Sequence, residues 1–480
     1  MLKRIEVENF KSLKHLDYHC AKLNLLMGLN GAGKSSFIQF LLFLRSLSNL
    51  PLSAVARFGK GSTELPFNFD DSIYCYCDKS CRRIKFALEF CSRAPCGMGI
   101  LDFKKNFRLM TYSIPFDTTS EDDIFAMSRY RPQSFEIVKY LRSDAVWDAK
   151  YVAEIQATDE WQAQYAFLKA HNIDHEPHPE YEQELYKQYR PLEEAYEAKA
   201  KEISAQINDI EKDKYPSFKG VWGGMKFVEA FRRKPQELYK GIGKTKYDSV
   251  DSEGGDIAEF LYNAGDGMSL HKGNPMISPS CSDKLRLIDQ VNAWLQVVSP
   301  GAQIRIDRRE VAGSERFLQT VAYGRAGHEH EFKPQNVGFG ISYVLPVLVA
   351  LLTSIPEDIV IIENPEAHLH PRGQAEMGNL IARAAAYGVQ VFVETHSDHV
   401  INGIRVAVKK GIVKSEDVNI AFFERKGHDV EAEDGTMHKE YYAEVRNIKV
   451  DSNGSLSEYP EDFMDEWNNQ LMRLMKPRKK

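Results

Sequence analysis

The segment Gly28-Leu29-Asn30-Gly31-Ala32-Gly33-Lys34-Ser35 constrains the fold of this chain more than any other feature. An apolar run of strand length, Leu23-Asn24-Leu25-Leu26-Met27, leads into it, and an apolar stretch of helical length, Ser36 to Leu44, leads out. A strand that enters a helix through a tight glycine-punctuated loop is the first half of a β-α-β unit, and such units build parallel sheets covered by helices. Gly28 and Gly33 let the backbone turn sharply, so that successive N–H groups point at one place in front of the helix N-terminus. Background composition gives about 0.02 accidental matches to this G-x-x-x-x-G-K-[ST] spacing in a chain of this length.

A cradle of this kind binds phosphate, and its chemistry assigns each position. The backbone around Asn30, Gly31, Ala32, Gly33, Lys34, Ser35 and Ser36 surrounds a phosphate chain. Lys34 reaches the β- and γ-phosphates, and the Ser35 hydroxyl takes a Mg²⁺ position, so ATP with Mg²⁺ is the expected ligand. Two further runs supply the opposite side. Asp358-Ile-Val-Ile-Ile-Glu363 reads as a buried strand ending in a carboxylate able to hold Mg²⁺ through water. Gly388-Val-Gln-Val-Phe-Val-Glu394-Thr395-His396-Ser397 reads as another, ending in a polar loop. Parallel strands bind ligands at their carboxyl ends, where these groups emerge. Taken singly, Glu363 could be a helix cap and His396 a surface histidine; beside the loop at 28–35 the functional reading is the better one.

Glu363-Asn-Pro-Glu-Ala-His-Leu-His-Pro371 and Glu394-Thr-His-Ser-Asp398 resemble the Walker B and switch-histidine segments of ABC-type ATPases, in the soluble class of the SMC, Rad50, RecF and OLD-family proteins. The start, Met1 to Leu13 with its Asn9-Phe10-Lys11-Ser12-Leu13 turn, is similar to the same class. Asn336-Val-Gly-Phe-Gly-Ile-Ser-Tyr, shortly before Walker B, stands where an ABC signature is expected; Gly338, Gly340 and Ser342 are its candidate phosphate contacts, presented to a second subunit. The segments 227–235, 253–261, 291–295 and 459–467 resemble a bacterial ATPase family that carries a C-terminal domain of unknown function and occurs in anti-phage defence loci. The resemblance implies an α/β fold, an ABC-type P-loop ATPase head with a mixed sheet and flanking helices. It also implies assembly as a homodimer or higher homo-oligomer, and a sensor or scaffold role beside a separate effector, a nuclease or toxin. A RecF-like DNA repair ATPase and a non-hydrolysing ATP-held scaffold are the alternatives.

The chain departs from that pattern at the residue after Glu363. Asn364 replaces the usual second acid, and an amide orients water but does not take its proton. Glu366 is the nearest replacement carboxylate, and His396 the switch histidine, so Glu363, Asn364, Glu366 and His396 form the expected catalytic set, with Ser35 and Glu363 as metal ligands. Hydrolysis is expected, at a reduced rate. The signature also lacks the serine of Ser-x-Gly, for which Ser342 could substitute.

Length and composition bound the rest. The 480 residues suggest two to three domains: a head of 1–125, an inserted helical arm over 126–222, the second part of the head at 223–410, and a small C-terminal region at 411–480. Apolar residues at 3- and 4-residue spacings from Leu185 to Ile210, interrupted by Pro191, indicate the arm. No apolar run reaches a membrane span, and a cytoplasmic protein without membrane contact is expected. A net charge of −6 argues against coating nucleic acid, although Arg232, Arg233, Lys234, Lys240, Lys244 and Lys246 make a basic stretch that a nucleic acid could contact. Cys75, Cys77, Cys81, Cys91 and Cys96 lack a paired zinc spacing and read as strand residues, with zinc the rarer alternative. No metal-binding nuclease motif is found from Ile412 onward, so nuclease chemistry is expected in another protein.

Overall fold

The computed structural model describes residues 1–49, 74, 83–91, 107–115, 224–240, 251–264, 267–311, 314–323, 330–336, 340–431 and 437–475. The expected helical arm, Gly338, Lys244, Lys246 and four of the five clustered cysteines lie outside these residues; Cys91 ends a strand. The chain divides into two units. The first comprises Met1–Phe90, Ser113–Phe135 and Phe218–Lys480, and the second Cys91–Tyr112 and Glu136–Ser217.

The first unit opens with β1 (Leu2–Phe10), β2 (Leu13–His19) and β3 (Leu23–Gly28), followed by α1 (Lys34–Asn49) and β4 (Arg83–Cys91). The strand β5 (Phe107–Pro115) lies mostly in the second unit. Then come β6 (Lys226–Val228), β7 (Leu238–Lys240), α2 (Ile257–Ala264), α3 (Leu287–Val298), β8 (Ala302–Val311), β9 (Ser314–Tyr323) and β10 (His330–Phe332). The chain continues through α4 (Gly340–Leu352), β11 (Ile359–Glu363), α5 (Pro371–Tyr387), β12 (Gln390–Glu394) and α6 (Asp398–Lys409). It finishes with β13 (Val418–Glu431), β14 (Met437–Lys449) and α7 (Glu466–Met475).

The central sheet has the order β14-β13-β3-β12-β11-β6. Five strands run parallel and β14 is antiparallel at the edge, so this is the mixed α/β sheet with flanking helices that the strand-loop-helix unit requires. Alternation along each strand sorts the two faces. On β12, Val391 and Val393 enter the core shared with α2 to α6, while Phe392 turns to the other face and lies 6.2 Å from Phe37 of α1. The α1 face is aromatic: Phe37, Phe40 and Phe43 meet Tyr18 and Phe10 of the antiparallel β2-β1-β4 sheet. Gln390 fastens that sheet to the central one, accepting from Leu2 N (2.8 Å) and donating to Leu2 O (2.7 Å) and Ala21 O (3.0 Å).

The helices around the site begin and end on local signals. α5 has Pro371 at its first turn and stops at Gly388, whose φ of 102° is left-handed. α6 is capped by Ser397, whose hydroxyl accepts from His399 N and Val400 N, both at 3.2 Å. No described helix is long and apolar enough to cross a membrane; α4, the most apolar, has 13 residues and Pro346 within it.

The 411–480 segment supplies two strands to the central sheet. β13 pairs in parallel with β3, Val418 against Leu23 through Phe423 against Gly28, and buries Ile420, Ala421, Phe422 and Phe423. Each fully buried large apolar side chain contributes about 1.5–3 kcal/mol. A chain ending at residue 411 would expose one whole side of β3 and is therefore expected to lose its cooperative thermal unfolding transition. A truncated protein that is soluble, melts cooperatively and retains nucleotide affinity would show that the C-terminal strands are dispensable.

Candidate functional site

The loop between β3 and α1 carries residues 29–33, with Asn30 and Gly31 exposed and Ala32 buried beneath them. Gly28 has φ 127°, and a methyl group there would meet Phe423 O at 2.1 Å, so the turn out of β3 admits no side chain. α1 begins at Lys34, and the amides of its first turn have no intrahelical acceptor. They and the helix dipole face the space above the loop, which suits an anion.

Lys34 is 3% exposed. Its Nζ donates to Gly28 O (2.8 Å) and Leu29 O (3.0 Å) and stands 3.7 Å from Glu394 Oε1. Burial pulls its pKa down, and the Glu394 carboxylate opposes that pull. Burial pushes the Glu394 pKa up, and Lys34 and the nearby Ser35 hydroxyl pull it back down. Ser36 sits beneath, accepting from Ser12 Oγ (2.9 Å) in the turn between β1 and β2.

Glu363 and Glu394 end adjacent parallel strands in direct register, and Ile362 pairs with Val228, the last residue of β6. The next residue of that chain is Glu229, so three neighbouring strands each deliver a glutamate at one edge. Glu363 accepts from Ala230 N (3.0 Å); burial raises its pKa, with Glu394 and Glu229 adding to the rise. His396 is exposed on the loop after β12, its pKa lowered by partial burial and by Lys34.

Glu366 spends both oxygens on that loop. Oε2 accepts from Thr395 Oγ1 (2.8 Å) and Oε1 from His396 N (3.0 Å), which ties the segment after β11 to the segment after β12. Asn364 takes a left-handed φ of 45°, a conformation Asn adopts more readily than Glu. Its N–H donates to Glu394 O (2.8 Å), and its Oδ1 is buried with no partner.

Arg232 departs from its expected place on a basic surface. It is 5% exposed and lies inside the head. Nη1 donates to Tyr343 O (3.0 Å) in α4, and Nη2 donates to Glu363 O (2.6 Å) and, at 3.4 Å, to Asn364 O. Burial lowers its pKa to about 10, with Glu366, Tyr343 and Glu363 holding it up. Arg233 is ion-paired with Glu253 (3.1 Å) and Asp251 (3.9 Å). Two of the six residues of the basic stretch are thus engaged within the fold.

The structure therefore gathers Lys34, Ser35, Glu363, Glu366 and His396 at the carboxyl edge, with Glu394 among them. Gly340 and Ser342 open α4 beside the segment after β11: a methyl on Gly340 would meet His368 O at 2.7 Å, and the Tyr343 ring stacks edge-on against His368 at 4.6 Å. Among the described residues no hydrogen bond joins Gly340 or Ser342 to the loop at 28–36. Sequence reasoning gave Glu394 and Glu229 no role of their own in the site and put Arg232 on a basic surface. The first two were legible as the acids closing apolar strands; a buried arginine inside a basic run carries no such signal.

The residues present fit a magnesium nucleotide. Glu229, Glu363, Glu366 and Glu394 outnumber Lys34 and Arg232 at one buried edge, so the edge has an excess of negative charge that a divalent cation neutralises. Ser35 and Glu363 are oxygen donors of the kind Mg²⁺ takes. Fold and site together define a P-loop ATPase head. Residues 1–401 match the AAA ATPase domain family, and the chain belongs to it; residues 413–474 match a protein family of unknown function, DUF3696. No curated protein matches the chain in sequence. Among solved structures it is similar to the Smc head domain of Pyrococcus furiosus bound to the C-terminal domain of ScpA, at 14% identity over 99% of each chain and a TM-score of 0.37. It is also similar to the SMC head domain of Thermotoga maritima, at 10% identity over 92% of this chain and 98% of that one, with a TM-score of 0.36.

Removing Arg232 strands the carbonyls of Tyr343 and Glu363 in the interior, and each unsatisfied buried group costs about 1–3 kcal/mol. Arg232→Met is expected to lower the urea midpoint accordingly. Lysine should not restore it, because one ammonium cannot reproduce the planar fork that spans α4 and the end of β11. An unchanged midpoint in the Met variant would remove Arg232 as a structural link.

Proposed function

We propose that this chain binds ATP with Mg²⁺ on residues 28–36 and hydrolyses it slowly, as one half of a site completed by a second copy. The observation that carries the reading is the meeting of Lys34 and Ser35 with Glu363 and Glu394 at one sheet edge. The amides of the 30–36 segment hold the phosphate chain, apart from that of Ala32, which donates to Leu29 O (3.2 Å), and Lys34 exchanges its two carbonyl acceptors for phosphate oxygens. Ser35 and Glu363 hold the cation, which when bound draws charge from the transferring phosphoryl group. His396, exposed at the rim, orients water beside the γ-phosphate, and its lowered pKa keeps the imidazole neutral enough to accept a hydrogen bond. Asn364 takes no proton, which is the support for slow turnover; a positioned base contributes about 10²–10⁴ in rate.

Gly340 and Ser342, at the start of α4, make no hydrogen bond to the described residues of the loop of their own chain; with Gly338, which lies outside the described residues, they are the proposed contacts to ATP bound by a partner copy. Binding then favours the assembled state and hydrolysis the separated one. The resemblance to defence-locus ATPases supports a sensor or scaffold role in a cytoplasmic anti-phage complex whose destructive chemistry belongs to a separate effector. Co-purification of a nuclease or toxin encoded beside this chain would test that role, and its absence would favour a RecF-like one.

Lys34→Ala is expected to abolish ATP binding measured by calorimetry, and undiminished binding would overturn the reading. Glu366→Gln is expected to lower turnover by less than about 10²-fold, the low end of what loss of a positioned base costs, with ATP affinity retained. A larger drop would make Glu366 the base and not a brace for residues 395 and 396.

A further inference from the structure

Glu394 ends β12, one strand from the P-loop strand, and pairs in register with Glu363 on one side and Leu26 on the other. It is 8% exposed. Alternation along β12 puts Val391 and Val393 into the core of α2 to α6, so Phe392 and Glu394 face the α1 side, where Lys34 and Ser35 begin α1. The other polar groups of the edge are committed elsewhere. Glu366 is bound to Thr395 and His396 N, Asn364 O is shared by Arg232 and Ala367 N, and Glu363 is held by Ala230 N. Glu394 alone among these acids is ion-paired, at 3.7 Å, with the lysine that a bound nucleotide would take over, and it lies near the Ser35 hydroxyl beside that lysine.

From this we infer that Glu394 is a positioning residue of the cation site, the second carboxylate of a Glu363–Glu394 pair that, with the Ser35 hydroxyl, surrounds Mg²⁺. The inference rests on the reading of residues 28–36 as an ATP site. While Lys34 is turned to the loop carbonyls, Glu394 neutralises it and orients Ser35. Once Lys34 turns to the phosphates, the Glu394 carboxyl group stays buried beside Ser35, and its natural counter-charge is the cation that Ser35 holds. It thereby supplies the second negative charge that Asn364, an amide, does not bring to this edge. Glu229 extends the row but is drawn away from it, accepting from Ser252 Oγ at 2.9 Å.

The test is the affinity of the full-length chain for a fluorescent non-hydrolysable ATP analogue, measured in excess Mg²⁺ and again in EDTA. The ratio of the two affinities is the cation-linked gain. Glu394→Gln keeps the size of the side chain and an acceptor for Ser35, and is expected to cut that gain about tenfold, the scale of losing a partner in the outer coordination shell. Affinity in EDTA should hold or tighten, because Lys34 is released. Glu394→Asp is expected to recover part of the gain, and also serves if the glutamine variant folds poorly. A full cation-linked gain in both variants overturns the inference and leaves Glu394 as a counter-ion of Lys34 only. A wild-type chain that binds no analogue in either condition overturns the ATP reading and this inference with it.

Discussion

Everything at the functional edge depends on the backbone register of four parallel strands. Leu26 stands beside Glu394, Glu394 beside Glu363, and Ile362 beside Val228, so β12, β11 and β6 end within one residue of the same level and β3 runs two residues further to Gly28. Because side chains alternate with a period of two, a slip of one residue in any of these pairings would carry its terminal glutamate into the core of α2 to α6. The apolar interior enforces the register: Val360 and Ile362 on β11 and Val391 and Val393 on β12 are fully buried there. Hydrophobic burial therefore fixes where the acids emerge, and the acids emerge at the start of α1, where its dipole and unsatisfied amides favour negative charge on a ligand.

The substitution of an acid by Asn364 has a local rationale. The chain must leave β11, drop its N–H onto Glu394 O and turn towards α5, and it does so through left-handed backbone at Asn364 and again at His368. Asparagine tolerates that conformation better than glutamate. Arg232 then closes the turn from the other side by donating to the Glu363 and Asn364 carbonyls, and its remaining arm reaches Tyr343 in α4. One buried cation thus joins the end of β11 to the helix proposed to face a second copy, so a displacement of either is felt by the other through its three hydrogen bonds.

Much of this was legible in the sequence where local pattern suffices. The glycine spacing at 28–33 and the apolar runs that end at Glu363 and Glu394 are each signals within a few residues. The features that were not legible depend on long-range pairing. Arg232 looks like part of a basic surface until β6 is placed against β11, more than a hundred residues later. Residues 411 onward look like an appendage, because nothing local says that Val418-Asn-Ile-Ala-Phe-Phe423 lies against Leu23 to Gly28, almost four hundred residues earlier. Glu394 was visible as the leader of a switch segment, but its pairing with Ser35 follows from the parity of β12, which is set only once the core side of that strand is known.

That long-range pairing decides how the site can respond to a ligand. Gly28 lies so close to Phe423 O that the turn of the loop cannot shift without β13, and β13 is paired over thirteen residues with β14. Ser12 fastens the loop on another side, through Ser36 and through its carbonyl to Ala443 N at 2.8 Å. The backbone of the cradle is therefore preorganised, and preorganised dipoles cost little to align when charge arrives. On the proposed reading it is the side chains that respond: Lys34 turns from two carbonyls to phosphate, and Ser35 and Glu394 receive a cation. The two glutamates that border a preorganised cradle are then the natural place for ligand binding to be read out.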